Sequence, residues 1–244
     1  MIEAFVLGAI GQSSLVLAGL LAYVTTFPPK VIGSLAAFGA GSLIGAIAFD
    51  LLPDAEELAS GQGALWLLIG AGVFVVADAM IERLTAGPAP ETGADGAEAK
   101  SESAGGPLGI VVGSIVDGVP ESVIFGIQLA AGVPISIAFL AAVFVSNIPQ
   151  ALAPSADLVR SGWKAGRMIV MWSAVVLACG VASALGWIVA ANVDTVTGAR
   201  AAAIAAGGLL AMLTASLVPF AYQKGGAGAA LGTVVGFCAS LAGS

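Results

Sequence analysis

The chain contains no histidine, and Lys, Arg, Asp and Glu together make up only 9% of its 244 residues. The first absence removes imidazole from any catalytic or metal-binding reading; a Ser-His dyad cannot be built, and no enzyme is expected. The second excludes an ordinary water-soluble domain, in which about a quarter of the residues are charged. Cysteine is scarce too. Cys179 and Cys238 lie inside apolar runs without C-x-x-C spacing and read as reduced, buried packing thiols that say nothing of redox compartment. No basic segment precedes the first apolar run, which opens Met1-Ile2-Glu3-Ala4-Phe5, so that run is read as a retained helix. No nucleotide or nucleic-acid motif occurs.

What is present is apolar: 59% of the residues are hydrophobic and the mean hydropathy is +1.04. A membrane-spanning helix needs about 20 such residues in a row. Runs bounded by Pro, Gly or charge fall at 4–24, 31–52, 63–83, 107–130, 134–154, 167–191, 198–222 and 225–243, which predicts an all-α integral membrane protein of eight transmembrane helices in one domain, 1–244. Residues 84–106, rich in Pro, Glu, Ala and Ser, read as a flexible cytoplasmic loop between three helices and five.

Basic residues stay on the cytoplasmic side of a membrane. With both termini outside, Lys30, Arg83, Lys100, Arg160, Lys164, Arg167 and Lys224 all fall inside and only Arg200 falls outside, so this orientation, in a cell (plasma or inner) membrane, is expected. The net charge of −7 is concentrated in two stretches, Asp54 to Glu57 and Glu91 to Glu102, the first of which then faces outward. Residues 40–55 align without gaps to 206–221: Ala40, Gly41, Leu43, Leu51, Pro53 and Ala55 recur as Ala206, Gly207, Leu209, Leu217, Pro219 and Ala221. In this orientation the second helix runs outward and the seventh inward. The expected plan is an inverted repeat, helices 1–3 against 6–8, around a central pair of helices 4 and 5, an architecture on which alternating access is commonly built.

The fourth helix carries Ser114, Asp117 and Glu121, with Gln128 extending the same stripe. A carboxylate at mid-span costs about 2.5–3.5 kcal/mol on insertion scales, so the stripe must face protein or a wet cavity. The fifth helix offers Ser146, Asn147 and Gln150, followed on the same face by Asp157. Aligned by proline, Val116-Asp117-Gly118-Val119-Pro120-Glu121 matches Val145-Ser146-Asn147-Ile148-Pro149-Gln150. Each proline removes one N–H and frees a carbonyl, of Val116 and of Val145, as a further oxygen donor. An all-oxygen set suits hard cations; the bland alternative is that Asp117 and Glu121 hydrogen-bond to neighbouring Ser and Asn and hold the helices together. Gly41-x-x-x-Gly45, Gly109-x-x-x-Gly113 and Gly232-x-x-x-Gly236 predict close helix contact. Asp78 and Glu82 read as an interfacial face in preference to a ligand pair; Asp50 reads as part of a path of approach for cations, and Asp54, Glu56 and Glu57 either concentrate cations there or form a solvated loop.

At these residues the chain resembles the ZIP family of metal transporters, whose fourth and fifth helices carry paired motifs of the form H-N-x-P-E-G. Here they read Asp117-Gly118-Val119-Pro120-Glu121-Ser122 and Ser146-Asn147-Ile148-Pro149-Gln150-Ala151. Phe49-Asp50-Leu51-Leu52-Pro53-Asp54 is similar to the family's H-x-x-P-E ending of the second helix. The resemblance implies a ZIP-like fold and a metal site made by Asp117, Glu121, Ser146, Asn147 and Gln150, with Ser114 as an accessory polar group. Glu121 matches a ligand glutamate; Asp117 and Ser146 stand where the family has histidines, Gln150 where it has the second glutamate, and Gly118 where it has an asparagine. It implies a divalent metal ion as substrate with no tightly bound cofactor: zinc by family likeness, and manganese, iron(II) or magnesium from the oxygen-only ligands. The partners expected are the lipid bilayer and that cation, with a homodimer left open and no nucleic acid. The alternative is a ZIP-like protein that has lost transport and serves as a regulatory or assembly partner.

Overall fold

A computed structural model describes residues 1–53, 58, 61–85, 106–132, 135, 137–193 and 195–243. Among them there is no strand, and the chain is a bundle of long apolar helices. The first is broken at Ser13 into Ile2–Gln12 and Ser14–Val24. The second, Pro29–Ala46, continues as a π-helical turn, Ile47–Leu51. The third to sixth are Gln62–Thr85, Gly106–Ala130, Ile137–Arg160 and Ala165–Ala191. The seventh, Thr195–Met212, passes through a second π-helical turn, Leu213–Leu217, into Val218–Gly225, and the eighth is Gly228–Gly243. Seven are long and apolar enough to cross a bilayer, and the eighth is apolar but shorter. The fifth runs to Arg160, six residues beyond its expected end, because Pro154 is accommodated inside the helix. The expected loop 84–106, apart from its two ends, lies outside the described residues, as does Asp54.

Side chains are distributed as in a protein solvated by lipid. Leu68, Val73, Val170 and Leu231 are exposed, whereas Gln12, Glu121, Ser146, Asn147 and Ser183 are buried. In water that arrangement would leave large apolar surface uncovered; in a bilayer it is favourable, and the chain is a multi-pass membrane protein. Cys179 is buried as expected, but Cys238 is exposed, because it lies on the outer face of the eighth helix.

The helices pair in a regular way. The second packs on the eighth as the third packs on the seventh, the second on the fifth as the seventh on the fourth, and the first on the fifth as the sixth on the fourth. The closest approaches are at glycine, where no Cβ separates the backbones. A Cβ at Gly41 would strike the carbonyl of Thr233, and one at Gly207 that of Leu67; one at Gly236 would strike the carbonyl of Phe38, and one at Gly70 that of Ile204. Gly41 and Gly207, Leu67 and Thr233, Gly70 and Gly236, and Phe38 and Ile204 are each 166 residues apart, the offset that aligns 40–55 with 206–221. The two π-helical turns share the same offset. A proline follows each: Pro53 and Pro219 withhold the N–H that would bond to Phe49 and Ala215, and their rings crowd those carbonyls, which widens the turn. Of the three G-x-x-x-G motifs, those at Gly41/Gly45 and Gly232/Gly236 make close contacts, but Gly113 has nothing within 4 Å. Among the described residues, none lies close enough to Gly113 to make the contact expected there.

Candidate functional site

Glu121 lies in the middle of the fourth helix and is 1% exposed. No basic side chain answers it from the same depth: the described Lys and Arg residues all lie within two turns of a helix end. The group that does is Gln12, on the first helix, which the sequence reading left aside. Glycines bring that helix close. A Cβ at Gly8 would lie 2.6 Å from Ser183 Cβ, one at Gly11 3.0 Å from the Phe125 ring, and one at Gly19 2.5 Å from the Trp172 indole. Ser183 Oγ donates to the Ala4 carbonyl at 2.7 Å and Tyr23 Oη to the Trp163 carbonyl at 2.8 Å, fixing both ends of the first helix to the sixth and its approach.

Held this way, Gln12 is fully buried and its Nε2 donates to Glu121 Oε2 at 2.7 Å. Asn147 Nδ2 reaches the same oxygen at 3.5 Å and also donates to the Val143 carbonyl at 2.9 Å. The Phe125 and Phe139 rings, with centroids 4.9 Å apart, pin the fourth and fifth helices together one turn from Glu121 and two from Asn147. Each of the three residues has a helix irregularity beside it in sequence: the one-residue break at Ser13 after Gln12, and Pro120 before Glu121 and Pro149 just past Asn147, both prolines held inside continuous helices. Glu121 Oε1, Gln12 Oε1 and Gln150 Nε2 have no hydrogen-bond partner among the described residues.

The other expected site residues are placed as follows. Asp117 and Gln150 are buried, one turn from Glu121 and Asn147 respectively, and Ser114 is buried a further turn along. Ser146 is buried, but its hydroxyl donates to the Val143 carbonyl at 2.9 Å, and it abuts the second helix at Gly39, where a Cβ would lie 2.6 Å from Ser146 Cα. Asp50 sits in the π-helical turn of the second helix and is half-buried. Asp157 turns out of the bundle and pairs with Arg160 at 2.9 Å, because the fifth helix continues past the apolar zone to a solvated end. Asp78 is half-buried; the Glu82 side chain lies outside the described residues.

Gly118 explains how Gln12 fits. A Cβ at position 118 would lie 2.6 Å from Cys179 Sγ and 3.3 Å from Gln12 Oε1, so the first and sixth helices together fill the space that a side chain at 118 would take. Gly118→Ala is expected to destabilise the fold by about 1–3 kcal/mol through overpacking. Adding Cys179→Ala removes the nearer obstacle, so the double variant should recover at least about 0.5 kcal/mol relative to the sum of the single changes. Thermal unfolding of the four proteins measures this coupling, and strict additivity would remove the contact.

Chemically the arrangement is a buried carboxylate that takes its hydrogen bonds from neutral amides. The signal for Gln12 was available in Gly11-Gln12-Ser13-Ser14, a polar interruption in an otherwise apolar span, since a polar group at that depth needs a partner. No family model matches the chain, and no curated protein matches it either.

Proposed function

We propose that the chain is a carrier of divalent metal cations, resembling the ZIP transporters, which moves its ion into the cytoplasm through a midplane site between the fourth and fifth helices. The observation that carries this reading is Glu121: a carboxylate buried at mid-span, without a basic partner at its depth, among side-chain amides whose oxygen atoms can face a cation. Asp117 and Gln150, one turn away, supply a second carboxylate and a third amide oxygen. Ions with hard, oxygen-preferring coordination, manganese, iron(II) and magnesium, fit this set better than zinc does.

The paired contacts support alternating access. Exchange of helices 1, 2, 3 and 4 with 6, 7, 8 and 5 maps one set of contacts onto the other, as an inverted repeat requires. Two clefts follow the same rule. A cleft of about 110 Å³ is lined by Phe38, Ser42, Ala239 and Ser240, and one of about 490 Å³ by Ile204, Gly208, Val73 and Phe74, their counterparts at the 166-residue offset. The excess of basic residues on one side supports an orientation with both termini outside a cell membrane.

Uptake into proteoliposomes tests the reading. Manganese, iron(II), magnesium and zinc are offered to the parent chain and to Glu121→Ala and Asp117→Ala. Uptake by the parent of at least one ion, with loss in both variants, is expected; indifference of all three proteins to every ion would retire the proposal. A second reading, a ZIP-like protein that has lost transport and works as an assembly or regulatory partner, is favoured by Ser146, which is turned onto its own helix. Absence of uptake with the fold intact would select it.

A further inference from the structure

We propose that Gln12, on the first helix, is itself a ligand of the transported cation, and that its carboxamide turns over between an empty and an occupied state of the site. This rests on the carrier reading above and adds a third helix to its binding site.

An ionised carboxylate only accepts hydrogen bonds, so the amide group facing Glu121 must be the NH2. That leaves Gln12 Oε1, in a residue with no exposed surface, without a hydrogen-bond partner among the described residues. The second oxygen of Glu121 is in the same condition. Two buried acceptors lacking donors, on residues joined by a hydrogen bond at mid-span, suit a positive charge. Turning the terminal amide of Gln12 about its last bond exchanges the two groups, so that the oxygen stands where Nε2 now meets Glu121 Oε2 at 2.7 Å. A cation held by Glu121 would then have the Gln12 oxygen beside it. Asn147, whose Nδ2 reaches the same carboxylate oxygen, can respond in the same way.

The exchange keeps the outline of the amide group, since the oxygen and the NH2 only trade places. The amide oxygen lies against Gly118, a position at which any side chain would crowd it. The functional consequence is a site satisfied in both conditions. When empty, the carboxylate keeps an amide donor; when filled, the same amide gives an oxygen. An ion can therefore leave without exposing a bare buried charge, which a carrier needs and a permanent metal site does not.

The test uses the full chain, free of any tag, in lipid nanodiscs, with Mn2+ as the probe. Gln12→Glu adds a charged ligand and is expected to tighten Mn2+ binding about tenfold, and Gln12→Leu to weaken it about tenfold, since affinity at oxygen sites follows ligand charge and number. Gln12→His gives a direct readout. The parent has no histidine, so imidazole nitrogen modulation in the electron spin-echo signal of bound Mn2+ can come only from position 12. That signal, with the opposed shifts in affinity, supports the inference. Unchanged affinity in Gln12→Glu and Gln12→Leu, with no imidazole modulation in Gln12→His, overturns it while leaving the carrier reading in place. Failure of the parent to bind Mn2+, Fe2+, Mg2+ or Zn2+ overturns the carrier reading and this inference with it.

Discussion

Replacing Glu121 by glutamine is expected to abolish divalent-cation uptake while leaving the fold at least as stable as that of the parent. The two effects separate because the substitution removes charge and keeps shape. Gln12 Nε2 donates to Glu121 Oε2 at 2.7 Å, and an amide oxygen in the same place can accept that bond. The bilayer penalty on the carboxylate, about 2.5–3.5 kcal/mol on insertion scales, disappears, so thermal stability should hold or rise. Uptake depends on the charge itself. Loss of the central anionic ligand should lower the transport rate by at least about a hundredfold, which is about 2.8 kcal/mol at 1.4 kcal/mol for each factor of ten. Parallel measurement of unfolding and proteoliposome uptake decides the matter. A glutamine variant that transports normally would show that Glu121 is structural; one that unfolds would show that its charge holds the helices together.

Much of this arrangement is legible in the sequence, and the limits are physical. The spans follow from composition, because a bilayer requires long apolar runs and the chain has little else. Pro120 and Pro149 locate the fourth and fifth helices against one another, and Glu121 and Asn147 do meet. Gln12 was missed since a neutral amide in the first helix gives no motif; its meaning depends on Gly8, Gly11 and Gly19 admitting that helix to the core, which only packing reveals. Asp157 was misplaced for the opposite reason. Helical periodicity set it on the same face as Gln150, but periodicity does not say where the apolar layer ends, and Asp157 lies beyond it with Arg160. Gly113 illustrates the same limit for glycine spacing: a G-x-x-x-G pattern permits an approach without naming a helix to approach. The aligned segments 40–55 and 206–221 carried more than their shared residues, because the offset between them also relates contacts made by the third and eighth helices, where the sequences themselves differ.

Those contacts lead to the largest expected effect on stability. Gly41→Ala and Gly207→Ala should each destabilise the bundle by about 1–3 kcal/mol, and to a similar degree, because each would drive a methyl into a backbone carbonyl, of Thr233 and of Leu67 respectively. A carbonyl on a rigid helix cannot turn aside as a side chain can, so relief comes only by separating the second helix from the eighth, or the seventh from the third. The two interfaces involve different helices, so the double variant should show the sum of the two losses, and leucine at either position should prevent assembly. Gly72→Ala and Gly113→Ala are the controls. Neither glycine has a neighbour within 4 Å among the described residues, and alanine there should stabilise by up to about 1 kcal/mol through helix propensity alone. Cys179 is a built-in reporter, buried until the bundle opens; with the exposed Cys238 changed to serine, a thiol-reactive dye follows unfolding at that one site. Matching losses at Gly41 and Gly207 would mean that the two halves of the chain are held by the same contact made twice. A loss at one with tolerance at the other would mean that the shared offset describes ancestry or chance and not a working symmetry, and that the two halves are not exchangeable.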